Sequence, residues 1–205
     1  MSRRTVLIHA GICDASMWDG FDLPGEVIAH QLPAPLDASV GDRPAALVGN
    51  SYGGYVALEL AARRPDLVEK LVLLDAPLMD HEFSDDFEAY AEEEERLVEA
   101  GEKDAAVELN LRFWCPDIAD RVRPMALAAI DYENAELPDP DLGAVTAPTL
   151  VAVGEHDKPD FIAIAERLAR ELPNARLEVI AGAGHLPPLE RPEETAALVG
   201  DFLSA

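Results

Sequence analysis

Six short runs of Val, Leu, Ile and Ala limit this chain more than any other feature. They lie at residues 5–9, 26–30, 45–48, 70–74, 149–153 and 176–180. Most are apolar almost without interruption, which a strand needs only when both its faces are buried. Stretches of helical period lie between them. YGGYVALELAARRPD, residues 52–66, stops at Pro65. DFIAIAERLARELP, residues 160–173, sets Phe161, Ile164, Ala165, Leu168 and Leu172 on one face and stops before Pro173. The expected class is α/β, a mainly parallel sheet of about six strands with helices on both faces. A chain of 205 residues, 49% apolar and 27% charged, can build one such domain around a sizeable core.

The alternation lapses between Pro77 and Thr146. No strand pattern occurs there, but apolar residues recur at helical spacing: Phe83, Phe87, Tyr90, Leu97 and Val98, then Val107, Leu111 and Trp114, then Val122, Met125, Ala129 and Tyr132. About three inserted helices are expected. Residues 1–77 and 147–205 would then form the core and residues 78–146 a helical insertion. Within it, AEEEER at 91–96 reads as a solvated helix face. ENAELPDPDLGAVTAP, residues 133–148, reads as the linker back into the sheet.

Four stretches carry chemistry. Gly49-Asn50-Ser51-Tyr52-Gly53 follows one strand candidate and opens a helix candidate. Glycines on either side of a serine suit a sharp strand-to-helix turn in which side chains would collide and one hydroxyl is pushed out. HAGICDASMWD, residues 9–19, follows the first strand. VAVGEHDKPD, residues 151–160, follows a late strand and contains Asp157; Asp160 there reads as a helix N-cap. IAGAGHLPPLERPEE, residues 180–194, places His185 after a strand and a Gly-rich turn. No other histidine has that setting, and no Cys/His cluster or HExxH pattern indicates a metal.

In this order and context the four stretches resemble the α/β-hydrolase fold family, in particular its lidded esterases and enol-lactonases, in shortened form. The resemblance implies Ser51 as nucleophile, His185 as base and Asp157 as the acid that orients it. Asp75, in LVLLDAP after the preceding strand, is the rival acid. The amides of Gly11 and Tyr52 would form the oxyanion hole, with His9 bracing that loop. Ala10 and Ile12 stand where the family usually has glycines. The insertion becomes a lid, and Phe87, Trp114, Met125 and Tyr132 become its substrate-facing residues. The implied activity is hydrolysis of small carboxylic esters or lactones through an acyl-enzyme, without cofactor or metal. Cleavage of carbon–carbon bonds in diketone-type substrates, or non-catalytic binding of small molecules, are the alternatives.

Charge and punctuation exclude other classes. A formal net charge of -24 opposes nucleic acid and anionic lipid as partners. No apolar run is long enough to span a membrane or to act as a secretion signal, so a cytoplasmic protein is expected. Cys13 and Cys115 are expected to be packed thiols. The connections on either side of residues 26–30 are short for parallel crossovers. Thin helix cover there would leave an apolar face suited to a homodimer.

Overall fold

A computed structural model describes residues 3–132 and 137–205. The first four residues of the expected return linker, 133–136, lie outside the described residues. Six strands form one sheet: β1 (Arg4–Ile8), β2 (Glu26–His30), β3 (Ala45–Asn50), β4 (Val68–Leu74), β5 (Thr149–Gly154) and β6 (Ala175–Ile180). Their order is β2-β1-β3-β4-β5-β6, and every neighbouring pair is parallel. The register sets Ile8 beside Gly49, Asn50 beside Leu74, and Gly154 beside Ile180. All carboxyl ends therefore open on one edge, where ligands bind in open α/β sheets.

The strands bury alternate side chains in two layers. On one face Val6, Ile8, Leu47, Leu71, Leu73, Val151 and Val153 pack against α2 (Tyr52–Arg63) and α6 (Pro159–Glu171). On the other, Leu7, Val48, Val72, Leu74 and Leu150 pack against α8 (Pro192–Ser204). Only β3 and β5 are buried at every residue. The expectation of burial on both faces fails for β2 and β6, the sheet edges: β2 exposes three of its five residues, and β6 buries only Ile180. An edge strand meets a neighbour on one side only, so it tolerates Glu26 and Glu178 where a central strand would not.

The short first crossover covers its face after all. Met17 and Trp18, from a 3₁₀ turn between β1 and β2, and Phe21, just beyond it, join the second core layer. Among the described residues, the large exposed apolar side chains are Val27, Met79, Val98, Leu127 and Val179. They sit on five different elements or loops and give no continuous apolar face.

The insertion holds three helices, α3 (Asp85–Glu99), α4 (Lys103–Trp114) and α5 (Ala119–Ala129), between β4 and β5. It is not a separate body. Val107 and Leu111 of α4 and Val122 and Met125 of α5 belong to the same core cluster as the sheet. Cys13 and Cys115 are buried there, and burial pushes the Cys115 thiol up to about 12, the reactivity of a packing residue. Asp160 does not cap its own helix, which starts one residue earlier at Pro159. Its carboxylate instead accepts from the Ser84 N–H at 3.0 Å and the Ser84 hydroxyl at 2.7 Å, tying α6 to the start of α3.

Candidate active site

The turn from β3 into α2 is built by close approach. A Cβ on Gly49 would come within 2.2 Å of the Gly53 carbonyl oxygen, and one on Gly53 within 2.4 Å of the His9 carbonyl oxygen. Neither distance admits a side chain. Between them Ser51 takes φ 53 and ψ -126, a backbone region that L residues rarely occupy. The Ser51 N–H donates to the Leu74 carbonyl at 2.8 Å, which holds the turn against the end of β4.

His185 reaches this turn from the loop after β6. Its Nε2 lies 2.9 Å from Ser51 Oγ, and its Nδ1 lies 3.0 and 2.9 Å from the two carboxylate oxygens of Asp157. His185 and Asp157 are both buried. A carboxylate can only accept, so the Asp157 contact puts the imidazole proton on Nδ1 and leaves Nε2 to accept from the Ser51 hydroxyl. Backbone contacts fix the two loops on each other. The His156 N–H donates to the Ala183 carbonyl at 2.8 Å, and Gly154 has no room for a Cβ against Gly184.

Asp75 is in the same cluster but in a different role. It follows β4 directly, is buried, and has φ 48. Its Oδ1 accepts from the Gly154 N–H at 2.8 Å. Burial, and then the charge of Asp157 beside it, push its carboxyl well above the usual range. Asp75, Asp157 and His185 form the one group among the described residues spaced to hold a cation. The 2.9 Å contact between His185 Nδ1 and Asp157 is a hydrogen bond in which Nδ1 carries the proton, so this nitrogen offers a metal no lone pair in that tautomer.

His9 braces the first loop. It is fully buried, its Nε2 accepts from the Leu32 N–H at 2.9 Å, and its Nδ1–H donates to the Ala10 carbonyl at 2.8 Å. Burial lowers its basicity, which keeps it neutral for both bonds. Ala10 also accepts from the Cys13 N–H at 2.9 Å, so a tight turn forms here without the usual glycines.

Gly11, Ser51, Tyr52 and His185 border a cavity of about 310 Å³ under the insertion. Phe87, Trp114 and Tyr132 line it. Met125 is not among its described lining residues. It packs in the core, on the flank of the α5 face that turns Ala126 and Ala129 to the cavity. Three supports escape the sequence reading. Asn50, fully buried, donates from Nδ2 to the carbonyls of Leu74 and His185 at 3.0 and 3.2 Å. Glu190 accepts from the Gly184 and Leu186 amides on either side of His185. Trp114 and Phe161 flank the imidazole, with ring centroids 4.2 and 4.6 Å away. Only Glu190 had a local signal, a carboxylate five residues beyond the histidine.

Comparison with known proteins adds four findings. A family model described as the alpha/beta hydrolase family matches residues 15–198. The monoacylglycerol lipase abhd6-B of Xenopus laevis is 27% identical over 96% of this chain, which spans 65% of that protein's length. The pimeloyl-acyl-carrier-protein methyl ester esterase of Neisseria meningitidis serogroup C is 31% identical over 89% of this chain and 81% of its own. Among solved structures, a thermophilic esterase from Thermogutta terrifontis is 25% identical with a TM-score of 0.71, covering 100% of this chain and 90% of that one.

If Asp157 orients His185, Asp157→Asn should lower kcat for an ester by on the order of 10³-fold or more, because the imidazole loses its acceptor. Asp75→Asn should cost far less, since an amide can still donate to Asp157. Steady-state kinetics on both variants check the ranking. The raised carboxyl of Asp75 also sets a pH dependence. Its stabilising share is complete below the unfolded pKa and is lost as pH rises from there toward the folded pKa. There the unfolded chain releases a proton that the folded chain keeps. Urea titrations from pH 4 to pH 8 should therefore show Asp75→Asn gaining on the wild type by up to about 1.4 kcal/mol per pH unit.

Proposed function

The chain belongs to the alpha/beta hydrolase family, and from that premise we propose that it is a serine hydrolase of small carboxylic esters or lactones. The observation that carries this reading is the unbroken line from Ser51 Oγ through His185 to Asp157. Relatives named as lipase and esterase support ester cleavage.

In this reading His185 Nε2 takes the Ser51 proton as Oγ attacks the acyl carbon. Asp157 stabilises the imidazolium that forms. The Gly11 and Tyr52 amides, both at the cavity wall beside Ser51, receive the oxyanion, each worth about 3 kcal/mol at the transition state. His185 returns the proton to the leaving oxygen, and the alcohol departs. Water, deprotonated by the same Nε2, then cleaves the acyl-enzyme.

Residues 78–146 act as a lid in this reading. Its three helices supply Phe87, Tyr90, Trp114, Ala129 and Ile130 to the cavity wall opposite Ser51 and His185. A volume of about 310 Å³ is at the small end for ligand sites and suits a short acyl or alkyl group.

Two experiments test the reading. Ser51→Ala should abolish both ester turnover and labelling by a fluorophosphonate probe while leaving the thermal transition in place. Turnover at the wild-type rate in that variant would remove Ser51 from the chemistry. In a p-nitrophenyl ester series, acetyl to hexanoyl chains should exceed palmitoyl in kcat/KM. Phe87→Ala, which enlarges the cavity, should move the optimum to longer chains. A palmitoyl optimum in the wild type would oppose the lid reading.

A further inference from the structure

The run AEEEER on α3 is not uniformly solvated. Glu92, Glu93 and Glu95 are exposed, whereas Glu94 is half-buried and lines the cavity. It falls on the helix stripe of Phe87, Tyr90 and Leu97, at spacings of three and four, where an apolar residue is expected. Opposite it on α4, Asn110 breaks the stripe of Val107, Leu111 and Trp114 and is buried. Two polar residues therefore stand at apolar positions and meet each other.

They end a directed chain of hydrogen bonds. Trp114 Nε1–H donates to the Tyr90 hydroxyl at 2.7 Å, and the Tyr90 hydroxyl donates to Asn110 Oδ1. Asn110 Nδ2 donates to Glu94 Oε1 at 3.3 Å. Each link fixes the direction of the next, so the chain terminates in an acceptor, the Glu94 carboxylate. Among the described residues no Lys or Arg pairs with Glu94, and none lines the cavity. Phe83, Phe87, Tyr90, Trp114 and Phe161 contribute rings to the wall, beside aliphatic residues such as Ile12, Met79 and Ile130. A lone carboxylate against ring faces is a setting for a cation, which gains from both. It repels a carboxylate and offers a polyol a single acceptor.

We propose that this cavity selects esters that carry a cationic ammonium group remote from the scissile bond, with Glu94 as the specificity-determining residue. The proposal rests on the serine-hydrolase reading for the word ester, but not for the cation site itself.

The test uses three p-nitrophenyl esters: 4-(trimethylammonio)butanoate, its neutral isostere 5,5-dimethylhexanoate, and the anionic adipate monoester. Each kcat/KM is divided by the ester's own hydroxide rate. The wild type should prefer the cation over the neutral isostere by at least tenfold and disfavour the anion. Glu94→Gln keeps the bond to Asn110 and should bring the cation-to-neutral ratio close to one. Glu94→Lys should turn the preference to the anion. Because ratios are compared within each variant, a general loss of activity cancels. Attraction by the chain's overall negative charge would survive Glu94→Gln, so a ratio unchanged in that variant overturns the proposal. Equal preference for cation and isostere in the wild type overturns it too. Calorimetry with butyltrimethylammonium covers the case in which no ester turns over. Wild type should bind about tenfold more tightly than Glu94→Gln, and equal binding removes the site. Absence of turnover with such binding would remove the hydrolase reading alone.

Discussion

The turn at Ser51 is the constraint on which the rest of the site depends. Three backbones converge within it: the end of β3, the first turn of α2 and the end of β1. The approach is close enough that Gly49 and Gly53 have no room for a methyl group. Helix α2 therefore cannot be displaced along the sheet without forcing Ser51 out of its unusual backbone state. The hydrogen bond to Leu74 and the Asn50 side chain extend the restraint to β4 and to the loop of His185. The position of the hydroxyl is thus set by the sheet, which is the stiffest part of the molecule, rather than by a loop.

The acidic limb shows how environment separates like groups. Asp75 and Asp157 follow neighbouring strands and meet beneath His185. Two carboxylates this close do not both ionise in a buried site. Asp157 faces the imidazole proton with both oxygens, while Asp75 turns one oxygen to the Gly154 amide, and burial raises its carboxyl. The first bonds the imidazole, and the second bonds the backbone beside it.

Much of this was legible before the fold was known. The six apolar runs located every strand to within two residues, because central parallel strands leave an unbroken signature. The glycines around Ser51 and the loop ahead of His185 located their turns for the same kind of reason, since each marks a steric demand confined to a few neighbours. What escaped depends on contacts distant in sequence. Asn50 and Glu190 read as ordinary polar residues until their partners are in place. Met125 and Glu94 were assigned to the wrong sides of their helices because spacing gives a stripe but not its orientation. The exposure of β2 and β6 followed from their rank in the sheet, which composition does not encode. The choice between Asp75 and Asp157 rested on motif alone, and only the geometry of the imidazole separates them.

The sharing of one core layer between the sheet and the inserted helices governs how a ligand can enter. Swinging α4 and α5 away as a flap would strip Val107, Leu111, Val122 and Met125 from the same packing that covers β3 and β4. That amounts to partial unfolding, and such openings are rare and slow. Helix α3 is different, with Leu97 as its one fully buried side chain and its start pinned through Ser84 to Asp160. Its amides should exchange with solvent faster than those of α4 and α5. If the insertion is the lid proposed above, passage to the cavity falls to side-chain rotamer changes around α3 and the exposed Met79, and the cover is a sieve of side chains instead of a door.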